Sequence, residues 1–164
     1  MAIGTYITPY GERRITENWM QVKDGNALAF RIMENHYSFN AVNRYNEFGE
    51  PKTKRFVGPG QRIVLIDRFY GEALFVWRKF IDDSGQQGVN CAAFRNCTSN
   101  LSSLLILEAE EWAFDKWGPT RVYTYVNPEA IKSKNPGYCF KMAGWTPCGR
   151  TKKQNLIILE KHIL

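Results

Sequence analysis

Hydrophobic and polar positions follow two patterns along the chain, and the changes between them mark the predicted elements. Short runs rich in β-branched and aromatic residues, separated by turn residues, predict strands. Apolar residues spaced three and four positions apart predict helices. The expected strands cover residues 19–23, 62–67, 73–80, 88–95, 121–126, the surroundings of Trp145, and 156–160. The expected helices cover residues 24–36, 101–117 and 135–144.

Two segments fit neither pattern. Residues 1–18 are polar and stay unassigned, whereas residues 37–61 are rich in Asn, Gly and charged side chains and predict a long loop. Loops of this length in a compact domain commonly carry function. A turn is expected after the third strand, at Asp82, Asp83, Ser84 and Gly85. No linker-like stretch divides the chain, so residues 1–164 are expected to form one domain.

The helix predicted over residues 101–117 has the strongest amphipathic pattern. One broad face collects its apolar side chains, namely Leu101, Leu104, Leu105, Ala109, Trp112, Ala113 and Trp117. Three acidic side chains are expected to point away from that face, namely Glu108, Glu111 and Asp115. This pattern predicts a helix that packs its apolar face on the sheet. Gly118 and Pro119 predict its end.

Positive charge is concentrated at one end of the chain. The formal net charge is +6, and residues 118–164 carry eight basic and two acidic side chains, so that segment accounts for all of it. A segregated positive field favours a polyanionic partner, because neutralised phosphates release counterions. A merely soluble basic surface is the alternative.

Composition argues against several classes of protein. The chain is 44% hydrophobic, which supplies a core, and no apolar run approaches the ~20 residues that span a bilayer. The first residues contain no apolar leader, so a cytoplasmic location is expected, in the host cell if a phage encodes the protein. The four cysteines form no C-x-x-C pair and there are two histidines, so neither disulfides nor a metal site is expected. The oligomeric state stays open.

The order of the predicted elements, β-α-loop-β-β-β-α-β-α-β-β, resembles the fold of the Gcn5-related N-acetyltransferases (GNAT). The resemblance covers roughly residues 19–161. It implies a GNAT-like α/β domain, with a mixed, mostly antiparallel twisted sheet of about six or seven strands flanked by helices. It also implies that the fourth and fifth strands are parallel and splay apart to form a cleft.

Three stretches more closely resemble the Mom-type DNA-modification proteins of bacteriophages, a divergent branch of that fold. They cover residues 35–38 (Asn-His-Tyr-Ser), 89–96 (Val-Asn-Cys-Ala-Ala-Phe-Arg-Asn) and 123–145, which includes Asn-Pro-Gly-Tyr-Cys-Phe-Lys-Met-Ala-Gly-Trp. This resemblance implies a transferase that modifies the exocyclic amine of adenine in duplex DNA and so protects the DNA from restriction.

The resemblance also places the group donor before the central helix. GNAT enzymes that use acyl-CoA usually carry a glycine-rich pyrophosphate loop there, whereas residues 95–103 contain no glycine. Ordinary acetyl-CoA use is therefore in doubt, and acyl-CoA or another small acyl or aminoacyl donor remains open. The candidate donor-binding residues are Arg95, Asn96, Ser99, Ser102, Ser103 and Asn127. Ordinary helix capping by Thr98, Ser99 or Ser102 is the alternative.

Candidate catalytic residues come from three segments. Acetyltransferases of this fold often place a proton-donating Tyr at the position that Phe140 occupies here. Tyr138 and Tyr125 are therefore candidate proton carriers, Tyr37 is a further candidate catalytic residue, and His36 is a candidate general base toward an amine. Core or surface packing is the alternative for each tyrosine, and a helix cap or a hydrogen bond in the core is the alternative for His36.

Basic residues near these aromatics suit a nucleic acid whose phosphates are bound by lysines and whose extruded base stacks on a ring. The candidate DNA-binding residues are Lys132, Lys134, Lys141, Lys152 and Lys153. The sequence thus predicts a phage enzyme that transfers a small acyl-type group to a DNA base. A conventional N-acetyltransferase acting on a small amine or protein, and a non-catalytic DNA-binding module, are the alternatives.

Overall fold

The computed structural model describes residues 3–9, 11–81, 83 and 85–164. Within them, one sheet contains β1 (Gly4–Thr8), β2 (Gly11–Ile15), β3 (Trp19–Val22), β4 (Gln61–Asp67), β5 (Ala73–Lys79), β6 (Val89–Asn96), β7 (Thr120–Val126), β8 (Thr146–Arg150) and β9 (Ile157–Ile163). The helices are α1 (Ala27–Glu34), α2 (Ser102–Trp117) and α3 (Tyr138–Met142).

The strands lie in the order β1-β2-β3-β4-β5-β6-β7-β9-β8, and every neighbouring pair is antiparallel except β6–β7. The predicted mixed, mostly antiparallel α/β sheet is therefore confirmed. It has more strands than the expected six or seven, because the unassigned N-terminal segment contains the β1–β2 hairpin. Two residues of the predicted turn after β5, Asp82 and Ser84, lie outside the described residues.

The larger core lies between the sheet and α2. Four tryptophans are almost fully buried in it, namely Trp19, Trp77, Trp112 and Trp145. The indole N–H of Trp19 donates to the Leu105 carbonyl at 2.9 Å, and that of Trp77 donates to the Ala109 carbonyl at 2.8 Å. These two hydrogen bonds fix the position of α2 on the sheet and satisfy the indole nitrogens of Trp19 and Trp77.

The face of α2 that packs on this core agrees with the predicted one at Leu105, Ala109, Trp112 and Ala113, which are buried, and differs from it elsewhere. Leu101 and Leu104 are exposed, whereas Glu108, which was expected to point outward, is 5% exposed. The carboxylate of Glu108 accepts hydrogen bonds from the Thr16 hydroxyl, the Asn18 and Trp19 backbone N–H groups and the Asn18 side chain, at 2.7 to 3.1 Å. Because these donors replace water, the burial of a carboxylate is tolerated here.

A second, smaller core lies on the opposite side of the sheet, under α1. The helix is capped by Asn26, whose side chain accepts from the backbone N–H groups of Leu28 and Ala29, so it begins after the predicted start at residue 24. Asp24 instead accepts from the backbone of Phe56 and pairs with Arg62 at 3.1 Å. It therefore fastens the end of the long loop to the sheet. No helix in the described part of the chain is long and apolar enough to cross a membrane.

Candidate active site

The two parallel strands in the middle of the sheet separate along their length. β6 and β7 pair only from Val89↔Val122 to Cys91↔Thr124. Beyond that point β6 continues along β5 and β7 continues along β9. The pairing of β5 with β6 shifts after Val76↔Ala93, so Ala92 is an extra, bulged residue. At the closed end of the cleft, the Thr124 hydroxyl donates to the Cys91 carbonyl at 2.9 Å.

A cavity of about 510 Å³ occupies the space between the separated strands. This size falls in the range of small-molecule sites. Its walls are the bulged part of β6, the end of β7, residues 36–38 after α1, the loop after β7, and the first turn of α3. No Asp, Glu, Lys or Arg is among the described residues that line it; the polar groups there are His36, hydroxyls, thiols and the amides of Asn90, Asn127 and Asn135.

His36 and Ser38 form a hydrogen-bonded pair at the wall of this cavity. The Nδ1 atom of His36 lies 2.7 Å from the Ser38 Oγ atom and accepts from the Ser38 backbone N–H at 3.1 Å. Burial lowers the pKa of His36, the charge of Arg95 acts in the same sense, and a hydrogen bond to the backbone of Phe94 opposes them. The ring is therefore neutral at pH 7 and can accept a proton.

Tyr37 reaches across the cleft from the same segment. Its ring stacks on His36 with centroids 4.5 Å apart. Burial raises the pKa of the Tyr37 phenol, and a hydrogen bond with the backbone of Asn127 on the far side acts against that shift. The phenol is therefore protonated at neutral pH and is positioned as a proton donor inside the cavity.

The other two predicted tyrosines also line the cavity. Tyr138 is 55% exposed in the first turn of α3, where its ring is accessible for stacking. Tyr125 lies on β7 and packs edge-on against Tyr123, with ring centroids 5.7 Å apart. Phe140 is buried against Trp145. The structure thus brings His36 and all three candidate tyrosines to one cavity.

The start of α2 lies beside the end of β6, where the donor was expected. Its N-cap residue is Leu101, which makes no side-chain capping bond, so capping by Thr98, Ser99 or Ser102 is not observed. The Asn96 side chain donates to the Ser102 hydroxyl at 3.0 Å and orders the turn. Ser103 is buried in the first helical turn, whereas Ser99 is exposed. The positive end of a helix without a side-chain cap suits an anionic group.

Arg95, a candidate donor-binding residue, lies near the end of β6. It is not among the residues that line the cavity. Side chains alternate along a strand, and Phe94 lines the cavity, so Arg95 points to the α1 side of the sheet. There its guanidinium donates to the Asn35 carbonyl and, at 3.2 Å, to the Cys97 sulfur. Arg95 therefore ties α1 to β6, and its charge acts on the nearby His36, but its side chain does not line the cavity with Tyr138.

Asn127 lines the cavity, and its side chain accepts from the Glu129 backbone N–H at 3.0 Å, so it also forms an Asx turn.

The predicted DNA-binding lysines flank segments of the cavity wall. Lys132 and Lys134 are exposed on either side of the wall residue Ser133, and Lys152 and Lys153 are exposed in the turn before the wall residue Leu156. Lys141 on α3 donates to the Asn135 side chain at 2.6 Å. The structure therefore places basic residues around an uncharged cavity.

Several cavity residues were not predicted. Ser38 was part of a noted motif, but nothing in the sequence shows that its hydroxyl meets His36. Ala92 enters the wall through the bulge, for which the consecutive small residues Ala92 and Ala93 are the available signal. The thiol of Cys139 also lines the wall, and burial raises its pKa. No group of His, Cys, Asp and Glu suited to holding a metal ion occurs among the described residues.

Solved structures resemble this arrangement at the level of the fold. The GNAT domain of S. lividans PAT aligns with a TM-score of 0.57 and 16% sequence identity, over 98% of this chain and 97% of that chain. An acetyltransferase from Agrobacterium tumefaciens str. C58 aligns with a TM-score of 0.51 and 13% identity, over 99% of this chain and 96% of that chain. No protein-family model and no curated protein matches the sequence. The chain therefore has the GNAT fold.

Proposed function

We propose that the protein is a phage DNA-modification enzyme that transfers a small acyl-type group to a DNA base. By resemblance to the Mom-type proteins, the target is the exocyclic amine of adenine and the result is protection from restriction. The observation that carries this proposal is the cavity between β6 and β7, which is aromatic and uncharged although basic residues surround it.

The uncharged wall favours an acceptor that is itself neutral. An aliphatic amine such as a lysine side chain is an ammonium ion at pH 7, with an ordinary pKa near ~10.4. Burying that cation in a cavity without a carboxylate is costly. The exocyclic amine of a nucleobase is neutral, and its flat ring matches the exposed ring of Tyr138 and the amide side chains of Asn90 and Asn127.

The donor is proposed to lie at the start of α2. The candidates for its anionic part are Asn96, Ser99, Ser102 and Ser103, which lie at this turn outside the lining of the cavity, and Asn127, which lines the cavity. Because this turn has no glycine, the backbone cannot approach a pyrophosphate as closely as a glycine-rich loop does. We therefore expect a small acyl or aminoacyl donor, and weak binding of acetyl-CoA.

Residues 36–38 supply the proton transfers. The acceptor nitrogen attacks the acyl carbon, and the bond from that carbon to the leaving group breaks. Tyr37 gives its phenolic proton to the leaving group. The proton of the acceptor amine passes to Ser38 Oγ as the Ser38 hydroxyl proton passes to Nδ1 of His36. The resulting imidazolium and phenolate are stacked neighbours, and they exchange the proton back through solvent.

A conventional acyl-CoA-dependent N-acetyltransferase is the second candidate, and the fold likeness to an acetyltransferase favours it. It requires a charged acceptor to lose a proton in a cavity whose described lining residues include no carboxylate. Calorimetry with acetyl-CoA at millimolar concentration separates the two proposals, because micromolar affinity would support the second.

Restriction protection tests the proposed function. Plasmid DNA from cells that produce the protein is expected to resist endonucleases whose sites contain adenine. Plasmid from cells that produce Tyr37→Phe is expected to be cut. Complete cleavage of both plasmids would contradict the proposal.

A further inference from the structure

The long loop after α1 contains an ordered hairpin, residues 44–52, with an exposed aromatic at its tip. Lys52 donates its backbone N–H to the Arg44 carbonyl at 2.8 Å, and Tyr45 and Pro51 form a β-bridge. The Asn46 side chain accepts from the backbone of Phe48 at 2.9 Å and closes the turn. Phe48 is nevertheless 78% exposed, so its ring contributes little to the core.

The hairpin is rooted beside the candidate active site. The Tyr45 hydroxyl donates to Glu34, which ends α1 two residues before His36. Arg44 lies over the ring of Phe39, and that ring packs against the buried Phe30 with centroids 5.9 Å apart. The hairpin is therefore anchored to α1, the helix that directly precedes the candidate catalytic residues 36–38.

Basic side chains accompany the exposed ring. Lys52, Lys54 and Arg55 are exposed in the segment that returns from the tip. Glu47 and Glu50 flank the ring and are also exposed, so residues 44–55 carry four basic and two acidic side chains. Proteins that kink or open DNA insert an exposed apolar side chain between base pairs, next to basic side chains. The basic side chains contact phosphates, and the inserted ring replaces the stacking that the DNA loses.

We propose that Phe48 is a wedge that enters duplex DNA and fills the gap left by a base extruded into the cavity. This proposal rests on the proposed function, because it requires DNA as the substrate. It adds a second basic surface, residues 44–55, to the lysines around α3 and the β8–β9 turn, so the duplex would contact the protein on two sides of the cavity. The occupant of this surface is double-stranded DNA, whose stacked bases a wedge must open.

The test compares a fully paired duplex with one in which the reporter base is already unpaired. Both contain 2-aminopurine, whose fluorescence rises when the base leaves the stack, and binding is measured by anisotropy. The wild-type protein is expected to raise the fluorescence of the paired duplex. Phe48→Ala is expected to weaken binding to the paired duplex by roughly fivefold or more, the scale of one lost base–aromatic stack, and to remove most of the fluorescence rise. Binding to the unpaired duplex should change less than about twofold, because its reporter base is already unpaired and little free energy is needed to extrude it.

Two control variants ask whether loss of any exposed aromatic ring has the same effect, and whether another aromatic ring can replace that of Phe48. Tyr70→Ala removes a ring that is 79% exposed in the β4–β5 turn and should leave both signals unchanged. Phe48→Trp should retain base opening. If Phe48→Ala opens the paired duplex as well as the wild type does, the wedge proposal is overturned while DNA binding stands. If the wild-type protein binds neither duplex, the wedge and the proposed function are both overturned.

Discussion

The interior beside α2 and the cavity between β6 and β7 are built on one sheet, yet only the interior beside α2 contains charged side chains among its described residues. Beside α2, Glu108 is buried with four hydrogen-bond donors, and Glu110 pairs with Lys161 at 2.7 Å. The described residues that line the cavity carry hydroxyls, thiols, amides and aromatic rings. They include no Asp, Glu, Lys or Arg, and His36 is neutral at pH 7.

This difference separates scaffold from candidate site. A buried carboxylate with fixed donors is satisfied within the protein and is not available to a ligand. An uncharged cavity with a neutral imidazole and a protonated phenol keeps its hydrogen-bonding groups for a neutral substrate. Substitutions beside α2 should therefore change stability, whereas substitutions in the cavity should change transfer.

The largest expected effect is that of Tyr37→Phe on transfer. Loss of a general acid should slow modification by about 10²–10⁴-fold, because the leaving group then departs without a proton. The melting temperature should stay within a few degrees, since Tyr37 is 47% exposed. Rates of base modification and thermal melts measure the two quantities. Tyr6→Phe, which removes an exposed phenol on β1, is the control and should retain full activity. An active Tyr37→Phe would exclude the phenol as the proton donor.

Glu108→Ala should have the largest effect on stability. It leaves the buried donors of Thr16 and Trp19 without their acceptor, and we expect a loss of about 3 kcal/mol in the free energy of unfolding. Denaturant titration measures it. Asp115→Ala, which removes an exposed pair with Arg14 at 2.8 Å, should cost under ~1 kcal/mol. Equal losses in the two variants would show that Glu108 is not an anchor of the scaffold.

These two regions also differ in how far the sequence predicts them. The spacing of apolar residues predicts the order of strands and helices, because the periodicity of each element is visible in that element's own residues. The burial of Glu108 depends on donors about 90 positions away, and the direction of Arg95 depends on the bulge that precedes it. Neither follows from local periodicity.

The candidate site was also predicted only in part from the sequence. His36, Tyr37, Tyr125 and Tyr138 were chosen by resemblance, and the fold brings them to one cavity. The pairing of Ser38 with His36 depends on the way the chain turns after α1, which no pattern in the sequence encodes. The β1–β2 hairpin was missed because its residues are mostly exposed and lack an apolar alternation.

Reversing the charge of two basic residues near the cavity should weaken DNA binding by about tenfold or more at low salt. Lys132→Glu with Lys134→Glu removes two positive charges and adds two negative ones, so affinity for all sequences should fall and its dependence on salt should become shallower. Anisotropy titrations over a range of salt concentrations measure both. Lys116→Glu, at the end of α2, is the control outside the cavity wall. If the double variant binds as tightly as the wild type, these lysines do not contact DNA.

The smallest expected effect concerns the pH dependence of stability. The pKa of His36 is lowered in the folded protein, so the unfolded chain binds a proton first as the pH falls below about 6.5. The contribution of neutral His36 is therefore complete above that pH and is lost as the pH falls toward its folded pKa. Denaturant titrations of the wild type and His36→Gln at pH 7 and pH 5.5 should show a smaller decrease for the variant. Equal decreases would mean that the ring titrates normally.

The central claim is that the uncharged cavity accepts a neutral base, and mass spectrometry of nucleosides tests it most directly. Plasmid DNA would be isolated from cells that produce the wild-type protein or Ala92→Glu and digested to nucleosides. Ala92 is exposed on the bulge in the cavity wall, so the variant should fold while it places a charge beside the acceptor. The account predicts a deoxyadenosine of increased mass with the wild type and none with Ala92→Glu. Only the four ordinary deoxynucleosides with the wild type, or the same modified nucleoside from both proteins, would contradict it.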